Sequence, residues 1–514
     1  MKQFLIMVFI LKLQFNFAQH TYFLEIKDST FLKSIFKDDV DDFYKSSGSK
    51  NLDFLFNDTK IIEFHKPFPT SKTDWLQSIY FLNVSDTNLF LKMCNLHREI
   101  FPFNEAVFFI KELCYTPNDF NINPNGVTNK HLDLIRAREA WEITKGDPNI
   151  VLGITDTYLK TTLEDISQKI NFPILGFNND NNLDWSYHGS ATSGCMVAHT
   201  DNNLGICGIG FNCKLKFNSE WAVDNEILLM SQQGYKIINA SWFNSYNYSS
   251  VINLLYSEIR NNGSLVFFGA GNGKSHSPSG NSLTNYVYPA CYDSVMCITS
   301  VGYKNDYGTP APNYGNWKDL HNNIPNDPNS AHHHNDKVDL CAPGYDVPCL
   351  FYDKNNPTAT NLYKEENGTS FASPMVAGVA GLMLSVNPCL KPHEIESILK
   401  STASNIYSIP ENVQYAGQLG AGRVDAFEAV KKTYKEASLF FKNQTLSGNT
   451  NYEAIHSIFA GEPPIIFAGL SGNTNVSNGS NIVFNAGKEI YLGAGFEVGL
   501  GGSFLAQNVT TVCP

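Results

Sequence analysis

The sequence has no block of consecutive basic residues and, after its first 18 residues, no stretch that we expect to be apolar enough to cross a bilayer. Its 37 Lys and Arg residues are outnumbered by 49 Asp and Glu residues, which gives a formal net charge of −12. Proteins that bind nucleic acid present clustered positive charge to the phosphates, so this composition argues against nucleic acid as a partner. The lack of a second long apolar run argues against a transmembrane segment.

The first 18 residues have the pattern of a secretory signal. Lys2 precedes a short apolar run at residues 4–11, and the small residue Ala18 is followed by a polar one. A charged start, an apolar core of this length and a small residue at its end are typical of a signal peptide. A membrane anchor is the alternative, but Lys12 ends the apolar run too early for one. We therefore predict that residues 1–18 are a signal peptide and that the mature protein is secreted, either extracellular or held at the cell surface.

Cysteine occurs in a number that does not allow complete pairing. The chain has eleven cysteines. Three close pairs lie in its central region: Cys207 and Cys213, Cys291 and Cys297, and Cys341 and Cys349. Such spacing can close a small loop or hold the end of a strand, but the connectivity cannot be deduced from sequence.

The most informative stretch is residues 367–378, where Ser370 stands between a glycine turn and a run of small and apolar residues. The run predicts a helix, and we expect Pro374 in its first turn, where a missing N–H has no cost. A serine at the N-terminal end of a helix lies beside free backbone N–H groups, which would stabilise an oxyanion formed by attack on a carbonyl. A hydroxyl is a weak nucleophile, so this hypothesis requires a histidine base and an acid.

Both partners occur upstream. Residues 148–157 contain a short apolar run that leads to Asp156, as a buried parallel strand would, and open α/β sheets place their sites at such strand ends. His188 follows, ahead of the small residues 192–198, which predict a helix packed closely on the sheet. We predict that His188 takes the proton of Ser370 and that Asp156 holds the imidazole in the required tautomer.

The sequence also offers a donor for the oxyanion. Residues 263–273 predict an apolar strand and a tight glycine turn that presents Asn272. The side-chain amide of Asn272 and the backbone N–H of Ser370 would together form an oxyanion hole. Loss of one such donor typically costs about 3 kcal/mol of transition-state stabilisation.

With Asp156, His188 and Ser370 in this chain order, the sequence resembles the subtilisin-like serine peptidases, or subtilases. The resemblance runs from about Leu132 to about Lys431. Short motifs in the family's order carry it, at residues 132–141, 154–157, 188–190, 238–242, 270–272, 288–290, 341–344, 368–374 and 420–426. It implies a doubly wound α/β fold with a mainly parallel sheet, endopeptidase activity on protein or peptide substrates, no cofactor for the chemistry, and structural rather than catalytic cysteines.

The resemblance also implies a set of substrate-binding residues: Ser241, Trp242, Phe243, Gly269, Ala270, Gly271 and Val287. Three positions depart from the family pattern, because Tyr158, Phe243 and Val287 stand where glycine is usual or frequent. Tyr158 must change the turn beyond the acid, while Phe243 and Val287 put bulk where substrate side chains would lie. We predict a narrowed S1 pocket that prefers small or slim P1 residues. A pseudoenzyme with a blocked cleft is the alternative.

A different pattern precedes the subtilase-like region. Strands are predicted at residues 22–26, 61–64, 79–84 and 106–110, with a helix from Asp86 to Arg98. A small α+β module between a signal peptide and a subtilase domain resembles an intramolecular-chaperone propeptide, which inhibits the enzyme by covering its cleft and is then cut away. Residues 115–119 are a plausible junction. The alternative is an N-terminal domain that stays attached.

Residues 305–336 are rich in Asn, Pro, Gly and His, and predict a surface insertion. His332, His333 and His334 with Asp336 could hold a metal, but adjacent histidines on a loop rarely point at one ion, so we expect a solvated loop and assign no metal ligands. The resemblance to subtilases makes structural calcium possible, with ligands that the sequence does not identify.

After Lys431 the composition changes to short polar segments with regular glycines. The segment 447–451 recurs at 471–475, and short strands are predicted at 481–484, 489–492, 496–498 and 503–506. A spacing near eight residues favours a small parallel solenoid of stacked turns. Residues 485–498 also resemble the C-terminal coat-hanger-stack modules of secreted Bacteroidetes-type proteins, which implies a retention, secretion or binding role without chemistry.

These observations predict a signal peptide (1–18), a propeptide-like α+β domain (20–117), a peptidase domain (120–435) and a C-terminal β-stack module (445–514). The leading hypothesis is a secreted serine endopeptidase made as a zymogen. The competing hypothesis is a surface binding or adhesion protein, in which the C-terminal module acts and the protease fold is a spacer.

Overall fold

The computed structural model describes residues 20–25, 61–65, 79–84, 104–106, 115–120, 129–170, 173, 187–220, 222–273, 284–302, 332–353, 355–356, 362–461, 467, 470–510 and 513. The chain divides into two compact units, residues 1–113 and 114–514. The predicted signal peptide and the predicted helix at 86–98 lie outside the described residues. The four predicted domain boundaries stay predictions.

The first unit contains an antiparallel sheet. Its strands are β1 (His20–Glu25), β2 (Ile61–His65), β3 (Ile79–Val84) and β4 (Asn104–Ala106), in the order β2-β3-β1-β4. The first three agree with the predicted strands to within two residues. The fourth was predicted at 106–110; the structure has a strand at Asn104–Ala106, and the remainder of that prediction lies outside the described residues.

The second unit begins with alternating strands and helices. The strands are β5 (Val151–Thr155), β6 (Lys214–Asn218), β7 (Ile237–Ala240), β8 (Leu265–Gly269), β9 (Met296–Val301), β10 (Leu340–Pro343), β11 (Val347–Leu350) and β12 (Tyr363–Glu366). The helices are α1 (Lys130–Leu134), α2 (Ala137–Ile143), α3 (Glu164–Ser167), α4 (His188–Val197), α5 (Asp224–Gln232), α6 (Ser250–Asn261), α7 (Thr369–Val386), α8 (Pro392–Ser401) and α9 (Ala426–Ala437), with a 3₁₀ turn at Pro410–Tyr415.

The central sheet has six parallel strands in the order β10-β9-β8-β7-β5-β6. Both faces are covered by helices, so the strands are buried and read as near-continuous apolar runs. In β8, Leu265 and Phe267 point into one core, shared with α7, while Val266 and Phe268 point into the other, shared with α6. This alternation follows from the two-residue period of a strand. The predicted doubly wound parallel sheet is confirmed.

Helix α7 passes through the middle of the larger core. Of its 18 residues, the first two are Thr369 and Ser370, so Pro374 is the sixth residue and lies in the second turn. The prediction of a first-turn proline is therefore wrong. A proline here deprives the carbonyl of Ser370 of its helical N–H partner. The hydroxyl of Ser241 replaces that partner, donating to the Ser370 carbonyl oxygen at 2.8 Å.

Helix α7 bears on the prediction that no stretch after the first 18 residues is apolar enough to cross a bilayer. Among the described residues, one helix, Thr369–Val386, is long and apolar enough to cross a membrane by length and composition. Of this stretch, 89% is buried inside the protein. A core helix passes the same test of composition, so the finding is weak evidence for a membrane span.

A parallel β-stack follows α9. Its strands are β13 (Leu439–Phe441), β14 (Gln444–Leu446), β15 (Asn449–Ala454), β16 (Ser457–Ala460), β17 (Thr474–Val476), β18 (Asn481–Ala486), β19 (Glu489–Leu492), β20 (Phe496–Val498) and β21 (Ser503–Asn508). They form three parallel sheets, β13-β16-β19, β14-β17-β20 and β15-β18-β21, so each group of three strands stacks on the previous one. Phe441 and Phe484 stack face to face in the interior, with ring centroids 5.1 Å apart. The predicted strands after residue 480 agree with β18–β21.

The cysteines of the described region are mostly free and buried. The free thiols are Cys195, Cys207, Cys213, Cys291, Cys297, Cys341 and Cys349. A disulfide joins Cys389 to Cys513 across 124 residues of sequence. None of the three close pairs noted in the sequence forms a disulfide, since all six thiols are free, and Cys291 and Cys297 interact with each other. The spatial neighbour of Cys349 is instead Cys195, with sulfur atoms 3.7 Å apart.

Candidate active site

An acid and a histidine meet at the carboxyl end of the central sheet. Asp156 directly follows β5, and His188 begins α4, so the parallel strand and the small-residue helix bring the two side chains together. His188 Nδ1 lies 2.8 Å from Asp156 Oδ1. Thr192, one turn further along α4, donates its hydroxyl to Asp156 Oδ2 at 3.0 Å, and the backbone N–H of Thr157 donates to Oδ1 at 2.7 Å. These donors fix the carboxylate in one orientation.

The environment of His188 favours its protonated form. Burial lowers the pKa of His188, but the negative charge of Asp156 and the hydrogen bond to it raise the pKa by more, so the net shift is upward from 6.5. The side chain of His188 is 21% exposed and that of Asp156 only 2%, so the carboxylate is shielded while the imidazole faces the cleft. A histidine in this position accepts a proton more readily than a free imidazole.

Ser370 is the second residue of α7, and the residue that follows it contacts His188. The Ser370 hydroxyl donates to the carbonyl of Ser241 at 3.4 Å. The ring of the following residue, Phe371, packs against the His188 ring with centroids 5.7 Å apart. Among the described residues no hydrogen bond joins Ser370 to His188. Catalytic hydrogen bonds are often long or poorly aligned without substrate, so this arrangement is compatible with proton transfer after substrate binds.

Asn272 is held by the first residue of the same helix. Its side-chain oxygen accepts from the backbone N–H of Thr369 at 2.8 Å and from the hydroxyl of Thr369 at 2.9 Å. The hydroxyl oxygen of Thr369 in turn accepts from the N–H of Gly271 at 3.1 Å. With its oxygen engaged on this side, the amide group has one defined orientation, and its nitrogen is the end that can serve as a donor.

Six of the seven predicted substrate-binding residues lie on two segments beside the site. Gly269 ends β8 and is followed by Ala270 and Gly271, while Ser241, Trp242 and Phe243 follow β7. The Trp242 side chain turns inward, where its ring packs on Phe268 and its N–H donates to Thr155 at 2.9 Å. Phe243 is half-buried, with its ring 5.4 Å from that of Tyr246.

Val287 is fully buried, and a Cβ built on Gly271 would lie 3.2 Å from one of its methyl groups. The valine therefore packs directly beneath the segment that carries Asn272. Tyr158, the third departure from the family pattern, is half-buried and packs against Tyr352, with ring centroids 5.5 Å apart.

The three adjacent histidines are buried, so the predicted solvated loop is wrong for residues 332–334. The rest of that predicted insertion, residues 305–331, lies outside the described part. His332, His333 and His334 are 1%, 0% and 6% exposed. His332 stacks on Tyr345, His333 contacts the carbonyl of Gly273, and His334 contacts Gln418. Their rings point in different directions, and no group of three His, Cys, Asp or Glu residues suited to a metal occurs within the described residues.

Two buried carboxylates lie at another position, near the start of the second unit. Asp119 and Asp165 are both fully buried, and neither forms an ion pair within the described part of the chain. Asp165 accepts from the Asn202 amide at 2.8 Å and from the N–H of Ile206 at 2.9 Å. Burial raises the pKa of Asp165 to about 7. Asn202 presents its amide nitrogen to Asp165 and accepts with its oxygen from the N–H of Leu204 at 2.8 Å. The buried charge of the two carboxylates is therefore not compensated by any cation among the described residues, and carboxylate oxygens are ligands that Ca²⁺ prefers.

Comparison with known proteins identifies the family of this chain. The Subtilase family model (Peptidase S8) matches residues 147–436, more than half of the chain. The chain therefore belongs to the subtilase family, and it is a serine-type endopeptidase of the subtilisin-like class.

Curated relatives include three peptidases of moderate similarity. A thermophilic serine proteinase of Bacillus sp. (strain AK1) is 26% identical over 63% of this chain and 71% of its own length. Thermitase of Thermoactinomyces vulgaris is 28% identical over 62% of this chain and its whole length. The halolysin-like extracellular serine protease Nep of Natrialba magadii is 27% identical over 58% of this chain, which spans only 50% of that protein.

Sequence reasoning named Asp156, His188, Asn272 and Ser370 but missed their supporting residues. Thr192 could have been found, because it lies one helical turn after His188 and so on the same face. Thr369 and His333 could not, since each acts through contacts between segments far apart in the chain.

Proposed function

We propose that the chain hydrolyses peptide bonds through an acyl-enzyme, with Ser370 as nucleophile and His188 as base. His188 takes the hydroxyl proton of Ser370 during attack and returns it to the leaving amine. Asp156 keeps the proton of the neutral imidazole on Nδ1, which leaves Nε2 as the acceptor. The observation that carries the proposal is the 2.8 Å contact between Asp156 and His188 beside a serine at the N-terminal end of α7.

In the tetrahedral intermediate the negative oxygen would be stabilised by the amide of Asn272, the backbone N–H of Ser370 and the positive end of the α7 dipole. The hydrogen bonds from Thr369 to Asn272 support this role, because they orient the amide before substrate arrives. Donors that need no reorganisation during the reaction contribute most to catalysis.

A fluorophosphonate probe and a casein assay test the proposal together. We expect Ser370→Ala to abolish labelling and to lower kcat by at least ~10³-fold, and His188→Ala to lower kcat to a similar extent, because the residues act as a unit. A protein that labels neither before nor after removal of its N-terminal unit would support the competing binding or adhesion function. Near wild-type activity in either variant would contradict the mechanism.

We also propose that the protein is exported and made as a zymogen whose N-terminal unit inhibits it. The signal-like residues 1–18 and the word extracellular in the name of the Nep relative support export. The contacts of residues 115–120 indicate where the N-terminal unit would be cut off. Asp119 is fully buried, and Tyr115 and Asn118 both form hydrogen bonds with Asp201. We therefore place the cut before Tyr115 rather than within 115–119. N-terminal sequencing of the secreted protein tests this position.

For specificity we propose small or slim P1 residues. Val287 supports this because it is buried against Gly271, where the expected glycine would leave space. A peptide library with varied P1 residues tests this proposal. We expect faster cleavage after Ala than after Phe, and Val287→Gly should reduce the difference between these two rates. Equal rates in the unmodified enzyme would refute the proposal.

We propose a structural calcium ion held by Asp119 and Asp165. An ion there would offset the buried negative charge and would take no part in the chemistry.

A further inference from the structure

The amide donor Asn272 lies in a turn whose backbone is intrinsically flexible. Gly271 and Gly273 flank it with φ values of +111° and +62°. Glycine reaches such conformations easily, but it also leaves them easily, because it has the largest backbone freedom of any residue. An oxyanion donor is useful only if it is held to within about 0.5 Å of its working position. Other segments must therefore immobilise the turn.

Thr369 holds the amide oxygen of Asn272, as described above, and a second residue holds the backbone on both sides of it. The backbone N–H of His333 donates to the carbonyl of Gly271 at 2.9 Å. Its ring Nε2 lies 2.9 Å from the carbonyl of Gly273. A carbonyl only accepts, so Nε2 carries a proton and donates. His333 thus bonds the carbonyls of the two residues on either side of Asn272.

His333 is itself well fixed. It is fully buried, and its carbonyl accepts from the hydroxyl of Thr299 on β9. Its ring fills the space beside Gly271, where an added Cβ would come within 2.7 Å of Nδ1. The neighbouring residue His332 forms an antiparallel bridge with Asn272. The turn that carries Asn272 is therefore tied through His333 to a strand of the central sheet.

We propose that His333 is a positioning residue for the reaction, acting through Asn272. This inference rests on the proposed oxyanion role of Asn272. When the hydrogen bond from the His333 ring to Gly273 is lost, the turn becomes more flexible. The Asn272 amide then spends less time in the position from which it can donate to the developing oxyanion. The stabilisation that is lost acts on the transition state and not on the bound substrate, so kcat falls while KM changes little.

The test compares His333→Gln with His333→Asn. The amide nitrogen of Gln overlays Nε2 of histidine and can still donate to Gly273, whereas that of Asn overlays Nδ1 and cannot reach it. We expect His333→Asn and His333→Ala to lower kcat by roughly 10- to 100-fold and His333→Gln to restore most of it. The matched control is His334→Ala, whose ring contacts Gln418 and not the turn, and it should keep the wild-type kcat.

Rates are expressed per active site titrated with fluorophosphonate, so that unfolded protein does not contribute. A purely structural role for His333 would reduce the titrated fraction and leave kcat per site unchanged, which would overturn the inference. Gln and Asn variants with the same kcat would overturn it as well.

A double-mutant cycle separates this inference from the proposed function. If Asn272→Ala keeps the wild-type kcat, the oxyanion role itself is wrong. If Asn272→Ala lowers kcat by roughly 10²-fold or more, we expect His333→Ala to cause little further loss in that background, because the residue acts through Asn272. Fully multiplicative losses would leave the oxyanion role standing and exclude positioning by His333.

Discussion

At the scale of the residue, the Asp156–His188 pair determines how activity depends on pH. His188 acts as a base only when neutral, so kcat/KM falls as pH drops through its pKa in the free enzyme. Burial lowers this pKa, but the Asp156 charge, the hydrogen bond to Asp156 and the Glu366 charge together raise it by more, so we expect the midpoint of the acid limb above pH 6.5. In Asp156→Asn the two contributions of Asp156 are lost, while burial still lowers the pKa and only the Glu366 charge still raises it. The midpoint should therefore move to lower pH, while kcat falls by about 10⁴-fold. A pH–rate profile of both proteins checks this, and a midpoint that Asp156→Asn leaves in place would contradict it.

Ser241 illustrates how a single hydroxyl can offset an unfavourable residue elsewhere. Pro374 leaves the carbonyl of Ser370 without its helical partner, and Ser241 donates to that oxygen instead. We expect Ser241→Ala to lower the free energy of unfolding by about 1–3 kcal/mol, the cost of an unsatisfied buried acceptor. Urea unfolding in a Ser370→Ala background avoids self-digestion during the measurement.

Pro374→Ala is the control for that measurement. Alanine supplies the missing N–H to the Ser370 carbonyl, so the loss caused by Ser241→Ala should shrink by about 1 kcal/mol when the two changes are combined. Strictly additive losses would show that the two residues are not coupled.

At the scale of the element, strands and strand ends were the most predictable features. β5 and β8 were recognisable because each is a short apolar run that leads to a functional residue, and β18–β21 because glycines recur between them. Pro374 and His332–His334 were misjudged for one reason. A local pattern does not show that Ser241 satisfies a helix carbonyl, or that a polar His run pairs with the Asn272 turn and becomes buried.

The segment 115–120 carries Asp119 and the short helix α3 carries Asp165, the two residues of the proposed calcium site. The effect of the ion is measurable on stability. We expect Ca²⁺ to raise the unfolding temperature and EDTA to lower it, because an ion that binds only the folded state stabilises it by about 2.7 kcal/mol at a hundred times its Kd. Asp165→Asn should abolish the calcium dependence. Asp293→Asn, at an exposed carboxylate paired with Lys337, should retain it. Calcium dependence that survives Asp165→Asn would place the ion elsewhere.

At the scale of the whole molecule, the Cys389–Cys513 disulfide ties the end of the β-stack back to the peptidase core. It closes a loop of 124 residues that contains α8, α9 and all nine strands of the stack, whereas Asp156, His188, Asn272 and Ser370 all precede it. No sequence pattern indicated this pair, because the two cysteines meet only after the stack has folded. A cross-link over such a long loop stabilises mainly by limiting the unfolded chain.

Replacing both residues by serine should therefore separate stability from catalysis. We expect Cys389→Ser combined with Cys513→Ser to lower the free energy of unfolding by about 2–5 kcal/mol and to make the stack more sensitive to limited proteolysis. The kcat on a short peptide should stay at the wild-type value, because the site lies outside the closed loop. Cys195→Ser with Cys349→Ser is the matched control, since that pair is not bonded and its loss should leave the protease sensitivity of the stack unchanged. If the serine variant of the bonded pair unfolds at the wild-type temperature, the cross-link contributes nothing, and packing of the stack alone must hold it to the peptidase core.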